Sequence, residues 1–146
     1  MLKIAVLVCV CVGLMHGYPG FLKEIPNGEA VPNPCTEDPE DKWNLVGHKF
    51  ASRTEFMMAR RQLSDKYVNV FGEMFFSNGQ NWTAICDLDA DNDGKTNGVE
   101  LGDPECVWER GTIPAGPATG HPGICEIETQ ECLSKASDIC PTTTTP

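Results

Sequence analysis

Eight cysteines in a chain of 146 residues limit the folds that this protein can adopt. Two of them, Cys9 and Cys11, lie in the apolar run from Ile4 to Leu14, which follows a basic residue and precedes the small residue Gly17. This order of residues is typical of an export signal, and the run is too short to span a bilayer. We therefore predict a signal peptide over residues 1–17 and a secreted, extracellular protein.

The cysteines beyond the signal are even in number and lie in an oxidising compartment, which predicts structural disulfides. They are Cys35, Cys86, Cys106, Cys125, Cys132 and Cys140. Cys86 and Cys106 bracket one motif and are expected to pair. Cys132 and Cys140 are close in sequence and are expected to pair as well, which leaves Cys35 for Cys125. The sequence alone leaves other pairings open.

The 14 glycines and 11 prolines predict many turns and few long helices. Ser52 and Glu55 form a capping-box pattern that predicts a helix running to Ser64. The segment from Tyr67 to Phe76 is rich in aromatic and β-branched residues, which favours a short strand with a bend at Gly72. This segment is expected to supply much of the core.

The strongest chemical signal is the segment 89–100, DADNDGKTNGVE. It fits the twelve-residue calcium-loop pattern, with oxygen ligands at alternating positions and a glycine at the tight turn. Crowded carboxylates repel one another unless a divalent ion neutralises them, which favours a calcium site over a solvated acidic turn. The predicted ligands are Asp89, Asp91, Asp93, Lys95 through its backbone carbonyl, Asn97 directly or through water, and Glu100.

The residues that follow the loop distinguish it from a calcium sensor. Gly102-Asp103-Pro104 should stop an exiting helix within about a turn, and the sequence contains no second loop of this kind. A sensor needs paired helices, so we interpret calcium as a structural clasp. The predicted fold is a small, disulfide-rich, loop-rich α+β domain with short β-strands, one or two short helices and a single EF-hand-like calcium loop.

Other candidate sites carry weaker signals. Asn81-Trp82-Thr83 is a sequon for N-glycosylation. His48 and His121 could hold a second metal with a carboxylate as third ligand, but two distant histidines without a motif are weak evidence, and the pattern favours ordinary hydrogen-bonded histidines. No nucleophile elbow, phosphate loop or H-E-x-x-H motif occurs in the sequence, so we predict that the protein is not an enzyme. A net charge of −10 argues against nucleic acid or an anionic membrane as partner.

Several longer strings together resemble the temptin family, namely YPGFLKEIPNG, VPNPC, NVFG at 69–72, CDLDADNDGKTNGVELGDPECVW at 86–108 and GHPGIC at 120–125. The resemblance covers nearly the whole chain after residue 17 and is weakest at residues 51–67. It implies a secreted component of a gastropod water-borne pheromone mixture, which acts in attraction and mating with other secreted protein pheromones (attractin-like) or with a receptor.

On this basis the chain divides into a signal peptide (1–17), a temptin-like domain (18–128) and a C-terminal cystine loop with a flexible Thr/Pro tail (129–146). We expect the contact surface to include the irregular N-terminal segment from Tyr18 to Pro39 and exposed aromatics near Trp43, because a preorganised segment binds with little ordering cost. The alternative function is a calcium-binding extracellular or shell-matrix structural protein. A third possibility is a secreted metal-dependent enzyme that uses His48 and His121.

Overall fold

The computed structural model describes residues 21–61, 67–126, 132 and 139–140. The predicted signal peptide, the predicted helix end at Ser64 and the Thr/Pro tail at 141–146 lie outside these residues. The described elements are three α-helices and two 3₁₀ turns: α1 (Arg53–Arg61), α2 (Val70–Ser77), α3 (Asn97–Glu100), and the 3₁₀ turns Phe21–Lys23 and Trp82–Ala84. None of the described helices is long and apolar enough to cross a membrane.

The predicted short β-strands are wrong for the described part of the chain. Extended pairing there is limited to two isolated bridges, Pro32 with Lys42 and His48 with Val68. Turns and loops connect the helices instead, and two groups of buried side chains hold them together. The described part of the chain is therefore a small, disulfide-rich, loop-rich fold with few helices and almost no strand.

Helix α1 begins where the capping box predicted. The Ser52 backbone N–H donates to a Glu55 carboxylate oxygen at 3.3 Å, and the Glu55 N–H donates to the Ser52 hydroxyl oxygen at 3.3 Å. These reciprocal bonds satisfy donors that have no partner within the first turn of a helix. Phe56 anchors the helix in the smaller core group, where it joins the buried residues Trp43, Leu45 and Ile124.

Helix α2 replaces the strand predicted over Tyr67–Phe76. Asn69 caps its first turn, because the side-chain oxygen of Asn69 accepts a hydrogen bond from the Gly72 N–H at 2.9 Å. Phe71 and Phe75 are four residues apart, lie on the same helix face and are both buried. The cap and this spacing outweigh the β-propensity of the individual residues.

Gly72 has a packing role instead of marking a bend. A Cβ atom at this position would collide with the Gly47 carbonyl oxygen and lie 2.7 Å from a Val68 methyl carbon. The absence of a side chain therefore lets α2 lie directly against the backbone at Gly47. This contact sets α2 into the larger core group, which consists of Ile25, Val31, Val46, Phe71, Phe75, Trp82, Ile85, Cys86, Ala90 and Leu101.

Three disulfides join the described residues. Cys86 pairs with Cys106 as predicted, but the other two predicted pairs are wrong: Cys35 pairs with Cys140, and Cys125 with Cys132. Packing explains the difference, since Ile139 and Cys140 lie against the Trp43 group and are thereby drawn away from Cys132. Both corrected disulfides cross the predicted boundary at residue 128.

Asn69→Ala is expected to cost about 2–4 kcal/mol of unfolding free energy, because the Val46 carbonyl oxygen and the Gly72 N–H lose the partner that the Asn69 side chain supplies. The Asn69 amide nitrogen donates to the carbonyl oxygens of Val46 (2.7 Å) and His48 (3.1 Å), and the side chain is almost fully buried. Urea denaturation measures the loss.

The matched control is Asn78→Ala at the other end of α2, where an exposed amide donates to the Met74 carbonyl oxygen. A loss below about 1 kcal/mol is expected there, and equal losses in the two variants would contradict the prediction.

Candidate metal centre

The segment 89–100 folds back on its own acidic side chains. The two carboxylate oxygens of Asp89 accept hydrogen bonds from the N–H groups of Asn92 (2.7 Å) and Gly94 (2.9 Å). Gly94 has a φ of +93°, a conformation that favours glycine. The Asp89 carboxylate, at the first position of the loop, therefore stabilises a tight turn over residues 89–94.

Asp91 and Asp93 each use one oxygen to hold the loop and leave the other without a hydrogen bond. Asp91 accepts from the Asp93 N–H at 3.2 Å, and Asp93 accepts from the Lys95 N–H at 2.9 Å. The remaining oxygen of each aspartate, Oδ2, is buried and has no hydrogen-bond partner among the described residues. Buried carboxylate oxygens without partners are costly unless a cation binds them.

Helix α3 positions Glu100 at the end of the loop. The Thr96 hydroxyl oxygen caps the helix by accepting from the Val99 N–H at 3.3 Å. The helix ends after a single turn, and Gly102 follows with a φ of +79°. The predicted early stop of the exiting helix is therefore confirmed. Glu100 is 0% exposed, and neither of its carboxylate oxygens has a hydrogen-bond partner among the described residues.

Asp103 shows how the same fold treats a buried carboxylate that needs no ion. Its oxygens accept hydrogen bonds from the Trp82 indole N–H at 2.8 Å and from the N–H groups of Val107 (3.0 Å) and Trp108 (3.1 Å). The pKa of Glu100, in contrast, is raised to about 9 by burial and by the neighbouring carboxylates of Asp91, Asp93 and Glu126. Burial, followed by the charge of Asp93, raises the pKa of Asp91 to about 7. Unlike Asp103, the loop carboxylates of Asp91, Asp93 and Glu100 therefore leave buried oxygens without a hydrogen-bond donor among the described residues.

The described carboxylates form two clusters that share Asp93. In each cluster one oxygen from every residue lies within 4.8 Å of the others: Asp89, Asp91 and Asp93 in the first, and Asp93, Glu100 and Glu126 in the second. Sequence reasoning missed Glu126, because it lies outside the loop and no motif spacing marks it. The Lys95 ammonium lies 3.5 Å from both Asp93 Oδ2 and Glu126 Oε2.

Asn97 is placed differently from the acidic residues. Its amide nitrogen donates to the Ile85 carbonyl oxygen at 2.7 Å and lies 3.6 Å from the Met74 sulfur, so the nitrogen side of the amide points into the core. Its oxygen is buried without a hydrogen-bond partner in the described part of the chain. Asn97 thus ties the start of α3 to the protein interior.

The two candidate histidines lie in aromatic surroundings. His121 is fully buried, its Nδ1 accepts from the Gly123 N–H at 3.1 Å, and its ring meets Trp43 edge-on. Burial lowers the pKa of His121 to about 3, so the ring is neutral. His48 packs against the rings of Phe56 and Tyr67. Neither histidine belongs to a described cluster of three potential metal ligands.

An apolar cavity of about 470 Å³ lies between the N-terminal segment and α2. Its lining includes Phe21, Leu22, Phe71, Phe75 and Phe76, and Phe76 is 73% exposed. The N-terminal segment therefore borders an accessible apolar surface, whereas Trp43, near which exposed aromatics were expected, is buried.

Comparison with known proteins identifies the family. The family model described as "Temptin C-terminal" matches residues 15–124. Temptin of Aplysia californica is 40% identical over 127 residues, which are 86% of this chain and 91% of that protein. The chain belongs to the temptin family. No solved structure matches it.

The segment that the family model matches includes most of the candidate metal centre. The temptin model covers the whole loop 89–100 and ends at Ile124, two residues before Glu126. The acidic loop is therefore part of the temptin domain, and Glu126 lies just beyond the matched segment. Cys125, Cys132 and Cys140 also follow the matched segment. Cys140 forms its disulfide with Cys35, near the start of that segment, and Cys125 pairs with Cys132.

Raising the pH is expected to destabilise the temptin domain when calcium is absent. The folded-state pKa values of Asp91 (about 7) and Glu100 (about 9) lie above the ordinary values of 3.8 and 4.5. These two groups hold protons in the folded state that they release in the unfolded state, whereas buried His121, with its lowered pKa, offsets this difference below its ordinary pKa of 6.5. Stability should therefore fall as the pH rises from ~7 to ~9. Thermal melts of dialysed, calcium-free protein measure this. A melting temperature that rises across this range would contradict the burial of these carboxylates.

Proposed function

We propose that this temptin-family protein is a secreted component of a water-borne protein pheromone mixture and acts without catalysis. The observation that carries the proposal is the 40% identity to Aplysia californica temptin over most of both chains. Three disulfides are compatible with an oxidising extracellular environment. They also favour persistence in dilute external medium, because cross-links restrict the unfolded chain.

We also propose that the acidic loop binds calcium as a structural clasp. Support comes from the buried oxygens of Asp91, Asp93 and Glu100, which lack hydrogen-bond partners among the described residues. Oxygen-only ligands on a tight turn suit a hard cation such as calcium. Calcium titration of the recombinant protein by calorimetry tests this proposal directly. Extracellular sites of this kind work with dissociation constants as weak as about a millimolar.

The protein-contact surface is assigned to the N-terminal segment and α2, which line the apolar cavity. The proposed occupant is an apolar side chain of a second secreted, attractin-like pheromone protein, since an exposed apolar surface is a common site of protein contact.

Asn81 is exposed and is a proposed glycosylation site. Its side-chain oxygen accepts from the Thr83 N–H at 3.1 Å, and Thr83 is exposed as well.

A choice assay with animals of the producing species tests the pheromone role. Recombinant protein is offered alone and with an attractin-like protein, and attraction is expected to rise with the mixture. Phe76→Asp should abolish this gain, whereas Val107→Asp should retain it, because Val107 is similarly exposed (71%) but does not line the cavity. Absence of any attraction, together with abundant recovery of the protein from shell matrix, would favour the structural function instead.

A further inference from the structure

The carboxylates of Asp93, Glu100 and Glu126 meet where the acidic loop contacts the segment 119–126. One oxygen of each lies within 4.8 Å of the others. Glu100 is completely buried, and both of its oxygens lack a hydrogen-bond partner among the described residues. We propose that Glu126 is a calcium ligand supplied from outside the twelve-residue loop, an inference that rests on the calcium site proposed above.

The backbone holds Glu126 in position to coordinate. Its Oε1 accepts a hydrogen bond from the His121 N–H at 2.8 Å, which orients the carboxylate. Its Oε2 lies 3.5 Å from the Lys95 ammonium, at the same distance as Asp93 Oδ2. A positive charge is therefore already accommodated between these two oxygens. The Lys95 side chain is 39% exposed, so it can turn outward when a divalent ion takes its place.

The segment 119–126 is fixed to the end of α3 at close range. The Thr119 N–H donates to the Glu100 carbonyl oxygen at 2.7 Å. Gly120 then passes directly beside the carboxylates: a Cβ atom there would lie 2.8 Å from Glu100 Oε1 and 3.2 Å from Glu126 Oε2. The missing side chain therefore leaves the space beside both oxygens open.

The additional ligand completes a reasonable coordination sphere. Asp89, Asp91, Asp93, the Lys95 carbonyl and a bidentate Glu100 supply about six oxygen atoms, and Glu126 raises the number to about seven, within the range that calcium takes. Asn97, the remaining loop position, donates from its amide nitrogen to Ile85 in the core, and its buried oxygen has no hydrogen-bond partner among the described residues. A contact from this oxygen would raise the number to about eight, still within that range. Glu126 would thus join the ion to the segment that carries the Cys125–Cys132 disulfide.

Glu126→Gln tests the proposal in the full-length secreted protein. Glutamine can still accept the bond from the His121 N–H, so the melting temperature without calcium should stay within a few degrees of wild type. The calcium dissociation constant is expected to increase at least tenfold. Glu105→Gln, a change of an exposed glutamate outside both clusters, is the matched control and should leave the constant unchanged.

Terbium luminescence lifetimes in H₂O and D₂O provide a direct second readout, because they count the waters bound to an ion in the calcium site. Glu126→Ala should add one water. Unchanged affinity and water count in the Glu126 variants, with affinity lost in Glu100→Gln, would overturn the role of Glu126 and leave the calcium site intact. A wild-type protein that binds neither calcium nor terbium would overturn both.

Discussion

Removing calcium is expected to lower the melting temperature of the protein by roughly 10 °C near neutral pH. An ion that binds only the folded state adds about 2.7 kcal/mol at a hundredfold excess over its dissociation constant. In a domain of this size each kcal/mol corresponds to several degrees. The physical reason is the group of buried carboxylate oxygens on Asp91, Asp93 and Glu100 that have no hydrogen-bond partner among the described residues, so that their negative charge is unfavourable when no ion is bound.

Glu100→Gln separates this effect from general destabilisation, because it should act in opposite directions with and without calcium. Without the ion, the raised pKa of Glu100 means that folding at pH ~8 requires this carboxyl group to take up a proton, whereas a neutral amide needs none, so the variant should melt at or above the wild-type temperature. With excess calcium, the variant should lose most of the stabilisation.

Thermal melts and calorimetric titration of wild type, Glu100→Gln and the control Glu105→Gln measure both effects. The control should respond to calcium as wild type does, since Glu105 is exposed and belongs to neither carboxylate cluster. If Glu100→Gln binds calcium and gains stability as the wild type does, the loop is not a calcium site.

Features that depend on neighbouring residues were predictable from the sequence. The Ser52–Glu55 capping box marks the start of α1, and Gly102-Asp103-Pro104 follows the single turn of α3 as expected. The gathering of Asp89, Asp91 and Asp93 also follows from alternate positions around a tight turn. In each case the interacting groups lie within a few residues, so spacing alone conveys the geometry.

The helix α2 shows how composition can mislead. Aromatic and β-branched residues around Phe71 suggested a strand, but the deciding features were the cap at Asn69 and the four-residue spacing of Phe71 and Phe75. Gly72, taken as a bend, instead permits close packing on Gly47. β-propensity largely describes fit to a half-buried sheet surface, and here no sheet is present among the described residues.

Long-range contacts account for the remaining errors. Glu126 reaches the loop only because the segment 119–126 is bonded to the end of α3, and no local pattern encodes that contact. The pairing of Cys140 with Cys35 likewise depends on the packing of the C-terminal residues against the Trp43 group. Proximity in sequence favoured Cys132 as the partner of Cys140 and was the wrong criterion.

Loss of the Cys35–Cys140 disulfide is expected to lower the unfolding free energy by about 4–5 kcal/mol, more than loss of the shortest disulfide. The paired residues are 105 positions apart, against 7 for Cys125–Cys132. In the loop-closure view a cross-link restricts the unfolded chain more as the loop lengthens, and the shortest link contributes about 2.5 kcal/mol. Cys35 is exposed, so its replacement leaves little buried cavity.

Melts of Cys35→Ser/Cys140→Ser and Cys125→Ala/Cys132→Ala in calcium measure the difference, and the first variant should melt roughly 15 °C below wild type. The comparison is stringent because Cys125 and Cys132 are buried, so their replacement also loses packing. Mass mapping of non-reduced peptides should recover Cys35 linked to Cys140. A double serine variant as stable as wild type, or a Cys35–Cys125 peptide, would show that the C-terminal segment is not fastened to the N-terminal segment in this way.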